Sequence, residues 1–200
     1  MTTTGDPRFF AIESHIAIAY SSGSMKALGC FLLHIAGKRF GVAERDATLL
    51  ACSVEQVQRR LAMRGFHVAE YAENTDAYLI AKSAYDSVYN DCNDADLIMG
   101  VTYSSFTRQL INSEIVWAPD GDQAFDDGSH VLQFDIGSKT RLIGYRATKE
   151  RHVDPDGIAE IIIDSDIFYS ILQLWLREFE TEWGEKNKID PPEMNPHANQ

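Results

Sequence analysis

Residues 131–147 read Val-Leu-Gln-Phe-Asp-Ile-Gly-Ser-Lys-Thr-Arg-Leu-Ile-Gly-Tyr-Arg-Ala, two strand-like segments around a tight turn. In the first segment the apolar residues that share one face are Leu132, Phe134 and Ile136. Gly and Ser at 137–138 are typical turn residues, and the chain returns over 140–147. Either Leu142 or Ile143 would face the core on the returning strand, and the pattern leaves this open. The stretch therefore predicts a β-hairpin, the unit of an antiparallel sheet.

A second hairpin is predicted near the N-terminus. Residues 8–19 alternate as in a half-buried strand, and the apolar members of one face are Phe10, Ile12, Ile16 and Ile18. Residues 30–36 form a more apolar strand. Gly37 and Lys38 follow as a turn before 39–42, because glycine at the first central position suits a tight hairpin.

Helical periodicity predicts three helices between the two hairpins. Ser53 followed by Gln56 is typical of a capping box, and Gly65 marks the end of that helix. The other two helices are predicted over 77–89 and 104–112.

The longest helix is predicted at the C-terminal end. It follows a short apolar strand over 158–163, begins after a cap at Asp164 or Ser165, and ends near Trp183. Its apolar side chains recur at intervals of three and four residues and are Phe168, Ile171, Leu172, Trp175 and Phe179.

The order of these elements defines the expected fold class. The elements do not alternate as βαβ units but follow the order strand, hairpin, helices, hairpin, strand and helix. This order favours an α+β fold. We expect a largely antiparallel sheet built from hairpins and packed by helices, including the long amphipathic C-terminal helix. With 200 residues, the chain predicts one domain over 1–184. Residues 185–200 have two adjacent prolines and no apolar period, which predicts a flexible polar tail.

Charge is the most unusual bulk property. The formal net charge is −12 and the pI is near 4.8, which argues against a phosphate-neutralising nucleic-acid surface and against docking on anionic lipid. It favours a basic protein partner reached by electrostatic steering, although acidity also serves solubility alone. Three widely spaced cysteines, no signal-type N-terminus and no apolar stretch near the roughly 18 residues that span a bilayer predict a soluble cytoplasmic protein.

An acidic loop precedes the hairpin of 131–147. Residues 120–127 read Asp-Gly-Asp-Gln-Ala-Phe-Asp-Asp, with no Lys or Arg among them. The start resembles a calcium loop, but Phe125 stands where the sharp-turn glycine is needed, and Leu132 stands near the position of the bidentate Glu. We therefore expect no metal. A solvated turn and a partner-binding edge both remain open.

No complete catalytic constellation is present. His130 beside Asp126 and Asp127 could form an acid–base pair, but one His near two Asp in a turn is too common to identify an enzyme. We expect no enzymatic activity, no cofactor and no small-molecule substrate. Tyrosines are frequent between 71 and 103, and some of them must be exposed, where tyrosine is a favoured interface residue; they are Tyr71, Tyr78, Tyr85, Tyr89 and Tyr103.

Three segments carry a resemblance to a known family. Residues 5–13 read Gly-Asp-Pro-Arg-Phe-Phe-Ala-Ile-Glu, and residues 29–41 read Gly-Cys-Phe-Leu-Leu-His-Ile-Ala-Gly-Lys-Arg-Phe-Gly. The most specific is 125–135, Phe-Asp-Asp-Gly-Ser-His-Val-Leu-Gln-Phe-Asp, continuing to Arg-Leu-Ile-Gly-Tyr at 141–145. In this order, the chain resembles the immunity protein 42 family of bacterial polymorphic-toxin systems.

The resemblance implies a function without catalysis. Such proteins bind a cognate toxin domain in the cytoplasm and neutralise it, and the family description implies no catalytic residues. The acidic balance fits, because toxins that attack nucleic acid are commonly basic. The candidate contacts with the toxin are Asp120, Asp122, Asp126 and Asp127. The alternative is a small acidic secretion chaperone that escorts an effector protein.

Overall fold

The computed structural model describes residues 1–22, 24–90, 97–117 and 122–191. In these ranges the α-helices are α1 (Leu50–Ala62), α2 (Ala77–Tyr89), α3 (Tyr103–Asn112) and α4 (Ser165–Glu185). The strands are β1 (Thr2–Asp6), β2 (Phe10–Tyr20), β3 (Ala27–Ile35), β4 (Lys38–Phe40), β5 (Thr48–Leu49), β6 (Leu97–Ile98), β7 (Val101–Thr102), β8 (Ser129–Ile136), β9 (Lys139–Arg146), β10 (Ala159–Asp164) and β11 (Lys188–Ile189). The expected α+β class is confirmed.

The first sheet is an antiparallel meander in the order β1-β2-β3-β4, with β5 also paired to β3. A β-bulge shifts the register between Ile16 and Ile18. One extra residue reverses the side to which the next side chain points. Ile16 is therefore buried, whereas Ile18 is 37% exposed, and the prediction that both share a core face is wrong.

The first hairpin turns one residue earlier than predicted. Ile35 pairs with Lys38, so the two turn residues are Ala36 and Gly37. Both have positive φ, 48° and 80°, as a two-residue turn that matches the twist of the strands requires. Glycine therefore occupies the second central position.

The second sheet, in the order β10-β9-β8, separates two hydrophobic clusters. Leu142 belongs to the cluster shared with the first sheet, α1 and α4, whereas Ile143 belongs to the cluster under α2 and α3. Leu142 and Ile143 are thus both buried, on opposite faces of the sheet. The two sheets approach closely where a Cβ on Gly144 would lie 2.4 Å from the Phe40 ring.

The helices pack against this framework. Residues 77–89 form α2 as predicted, and α3 begins one residue before the predicted position. The predicted capping box is wrong: α1 begins at Leu50 directly after β5, has no side-chain cap, and contains Ser53 as a buried residue. Strand pairing of β5 fixes where this helix starts, and this tertiary constraint overrides the local capping signal.

The last helix anchors the C-terminal part of the chain. The Asp164 carboxylate caps α4 by accepting a hydrogen bond from the Asp166 amide. The buried side chains of its apolar stripe are Phe168, Leu172, Trp175 and Phe179. After Glu185, within the segment predicted to be a flexible tail, β11 pairs in parallel with β2. None of the helices in the described ranges is long and apolar enough to cross a membrane.

Candidate partner-binding site

The acidic loop leads from a short 3₁₀ turn, Gln123–Phe125, into β8. Asp120 lies outside the described residues. Asp122 is half-buried, and its carboxylate caps the 3₁₀ turn by accepting a hydrogen bond of 2.9 Å from the Ala124 amide. Burial raises the pKa of the Asp122 carboxyl, and neighbouring Asp126 raises it further, whereas the Ala124 hydrogen bond lowers it. This carboxylate therefore has a structural role in the loop besides its charge.

Asp126 and Asp127 are both exposed but differ in their contacts. The Asp127 carboxylate accepts a hydrogen bond of 3.0 Å from the Ser129 amide and pairs with the Arg146 guanidinium at 3.4 Å. Within the described part of the chain, no hydrogen bond or ion pair is made by the Asp126 carboxylate. The loop contains no basic residue, but β9 supplies one from across the hairpin. Among the carboxylates of the loop that the structure describes, Asp126 thus has the least neutralised charge.

Asp135, at the far end of the acidic stretch, is a buried structural group. Its carboxylate accepts hydrogen bonds from the Tyr169 hydroxyl at 2.9 Å and the Gly65 amide at 2.7 Å. The Thr140 hydroxyl donates a third at 3.3 Å. These bonds join β8, β9, α4 and the segment after α1, so Asp135 holds the fold together and is not part of the surface.

His130 lies in an aromatic group and not in an acid–base pair with Asp127, which pairs with Arg146. Its ring stacks on Tyr145 with centroids 4.9 Å apart and an interplanar angle of 17°. Tyr85 and Tyr89 of α2 contact the same ring edge-on at 6.0 and 5.9 Å. Tyr89 is 41% exposed, so one of the tyrosines flagged in the sequence reaches the surface beside β8.

The described ranges hold no group of three or more His, Cys, Asp or Glu side chains that could bind a metal ion. The carboxylates of the acidic loop that lie within these ranges bond backbone amides or an arginine, apart from Asp126. This arrangement can attract and contact a positively charged surface.

Two features of the surface cannot be recognised in the sequence. Arg146 is distant from the acidic loop in sequence, and only the pairing of β8 with β9 brings the two together. The second feature is a cavity of about 480 Å³ between the segment before α2, the β6–β7 hairpin and α3. The frequency of tyrosine after residue 70 was the one available signal, since Tyr71 lines this cavity.

Comparison with known proteins gives two matches. The model of a family described as immunity protein 42 matches residues 1–178. A crystal structure of CdiI from Burkholderia dolosa AUO158 is similar with a TM-score of 0.53, covering 88% of this chain and 99% of that chain at 17% sequence identity. At this identity the similarity concerns the fold alone. No curated protein matches the chain.

Proposed function

The chain belongs to the immunity protein 42 family, and from this premise we propose that it binds a cognate bacterial toxin domain in the cytoplasm and neutralises it. The observation that carries the proposal is the extent of the family match, which covers β1 to β10 and most of α4. A bound protein can block a toxin without catalysing any reaction.

The toxin-binding surface that we propose is acidic and includes Asp120, Asp122, Asp126 and Asp127. A net charge of −12 attracts a basic toxin domain over a long range and raises the association rate. Asp126 supports this best, because its carboxylate is exposed and is not neutralised by Arg146. The same charge disfavours nucleic acid and anionic membranes as partners.

The direct test is protection of cells. A candidate toxin domain, taken from the reading frame directly upstream of this chain's gene, is expressed from an inducible promoter, with or without the chain. We expect growth arrest with the toxin domain alone and normal growth when the chain is present. A toxin domain that arrests growth equally in both strains, although the chain is soluble and abundant, would refute the proposal.

A further inference from the structure

A cavity lies on the side of the second sheet that faces α2 and α3, and we refer to it as the α2–α3 pocket. Its walls include Tyr71, Leu79 of α2, and Met99 and Val101 of the β6–β7 hairpin. Leu79 is 44% exposed and can be reached by a partner. With a volume of about 480 Å³, the pocket is large enough for a long side chain of a binding partner.

Hydrogen bonds from a buried arginine hold one wall of the pocket in place. Arg141 of β9 is 3% exposed and donates hydrogen bonds to the carbonyl oxygens of Ala72 and Thr75, in the loop that forms one wall. Its charge is balanced by Glu160 at 2.6 Å. A preformed wall reduces the entropy lost on binding, so an occupant gains more affinity from its contacts.

Tyr71 supplies a polar group that has no partner in the part of the chain that the structure describes. Its side chain is 8% exposed, its ring packs on Phe106 at 5.0 Å, and its hydroxyl makes no hydrogen bond in the described structure. Burial raises the pKa of the phenol, so the hydroxyl stays protonated. A buried hydroxyl without a partner costs free energy, which a ligand in the pocket with a suitable donor would recover.

Acidic groups lie at the rim. Glu70 and Asp76 are exposed and line the pocket, and none of the described lining residues is Lys or Arg. The pocket is lined by apolar side chains and by two carboxylates, which together fit a side chain that combines an aliphatic stem with a cationic head. Arginine fits best, because its five N–H donors can serve carboxylates and a hydroxyl oxygen together.

We propose that the α2–α3 pocket receives an arginine side chain of the toxin domain and is an anchor point of the interface, in addition to the acidic loop. This inference rests on the proposed function. The stem packs on Leu79, Met99 and Val101, while the guanidinium donates to the carboxylates at the rim and to the Tyr71 hydroxyl oxygen.

The first test blocks the pocket. Leu79→Arg places the chain's own cation at the site of the incoming one, and the matched control Leu174→Arg changes a leucine of α4 that is 41% exposed. Affinity is measured by calorimetry with the purified upstream-encoded toxin domain. We expect Leu79→Arg to bind at least about tenfold more weakly and Leu174→Arg to bind within about twofold of the parent.

Tyr71→Phe keeps the ring and removes only the unpaired hydroxyl. Since that hydroxyl has no partner among the described residues, the variant should melt at the same temperature as the parent or higher. Its binding should nevertheless be about threefold weaker or worse, because charged hydrogen bonds to the guanidinium are lost. A merely structural role of Tyr71 would not weaken binding in a protein of unchanged stability.

The charge at the rim is tested by the double variant Glu70→Gln with Asp76→Asn. Asn at position 76 can still accept the hydrogen bond from the Leu79 amide that caps α2. Asp156→Asn with Glu185→Gln removes two exposed carboxylates elsewhere and matches the change in net charge. We expect the rim variant to bind at least about fivefold more weakly than this control.

The pocket is not an anchor for a basic side chain if the parent binds the toxin domain and all three pocket variants bind as the parent does. An effect of Leu79→Arg without an effect of the rim variant would also overturn the proposal, because the occupant would then be uncharged. A parent chain that does not bind the toxin domain at all would instead refute the proposed function.

Discussion

The guanidinium of Arg146 lies 3.4 Å from the carboxylate of Asp127, across the β8–β9 hairpin. The pair neutralises one charge of the acidic loop and ties the loop to the sheet. Asp126, one residue earlier, has no such partner in the described structure. The carboxylates of the loop are therefore not equivalent: Asp122 and Asp127 shape it, and Asp126 chiefly contributes charge.

This difference predicts different effects on stability. Asp127→Ala removes the bond to the Ser129 amide and the pair with Arg146, and should lower the free energy of unfolding by about 1 kcal/mol. Asp126→Ala should change it by less than about 0.5 kcal/mol. Urea denaturation of both variants measures this, and equal effects would show that the two carboxylates have the same role.

Substitution of Asp135 should lower the free energy of unfolding far more than substitution of Asp126 or Asp127. Asp135 is 9% exposed and accepts hydrogen bonds from Tyr169, Gly65 and Thr140. Asp135→Ala leaves these donors unpaired in the interior and should cost about 3 kcal/mol or more. Asp135→Asn keeps an acceptor oxygen and should cost less. A loss below about 1 kcal/mol for the Ala variant would contradict the structural role.

His67 should make stability depend on pH. It is fully buried, its Nδ1–H donates to the carbonyl oxygen of Ser113 at 3.0 Å, and its Nε2 has no partner in the described structure. Burial lowers the pKa of His67, and the nearby Arg60 guanidinium lowers it further. The folded pKa is thus below the unfolded value of about 6.5, so the unfolded state binds the proton first as the pH falls.

The chain should therefore lose stability between pH 7 and pH 5. His67→Asn, whose amide nitrogen can replace Nδ1–H as a donor, should lose less over the same interval even if it is less stable at pH 7. Denaturation curves across this range compare the two slopes. Parallel slopes for parent and variant would mean that His67 does not contribute to the pH dependence.

Metal should not affect stability. In the described loop Asp122 already caps a backbone turn and Asp127 pairs with Arg146, which leaves too few free oxygens for the six to eight that calcium takes. Melting curves recorded with calcium and with a chelator should coincide. A rise of many degrees in calcium would reveal a site in the acidic loop.

Much of the fold could be predicted from periodicity. The hairpin of 131–147, α2 and the stripe of α4 are local patterns, and the structure confirms them. The start of α1 and the exposure of Ile18 could not be predicted, because β5 pairing and a β-bulge determine them. The acidic loop is visible in the sequence, but its pairing with Arg146 and the α2–α3 pocket arise only from contacts between distant segments.

The central claim is that this chain binds a toxin domain through its acidic loop. The decisive measurement is the Kd for the upstream-encoded toxin domain at low and high salt, for the parent and for a variant with Asn at 120, 122, 126 and 127. Asn at 122 and 127 can still accept the bonds from Ala124 and Ser129, and circular dichroism first verifies folding. The matched control neutralises four exposed carboxylates elsewhere, namely Glu44, Asp46, Asp156 and Glu185.

We predict that the parent binds tightly and that the loop variant binds at least about tenfold more weakly at low salt, equivalent to about 1.4 kcal/mol. The control variant should lose clearly less affinity. The difference between parent and loop variant should shrink as salt rises, because salt screens long-range charge. A folded loop variant with the parent's affinity at every salt concentration would contradict the claim.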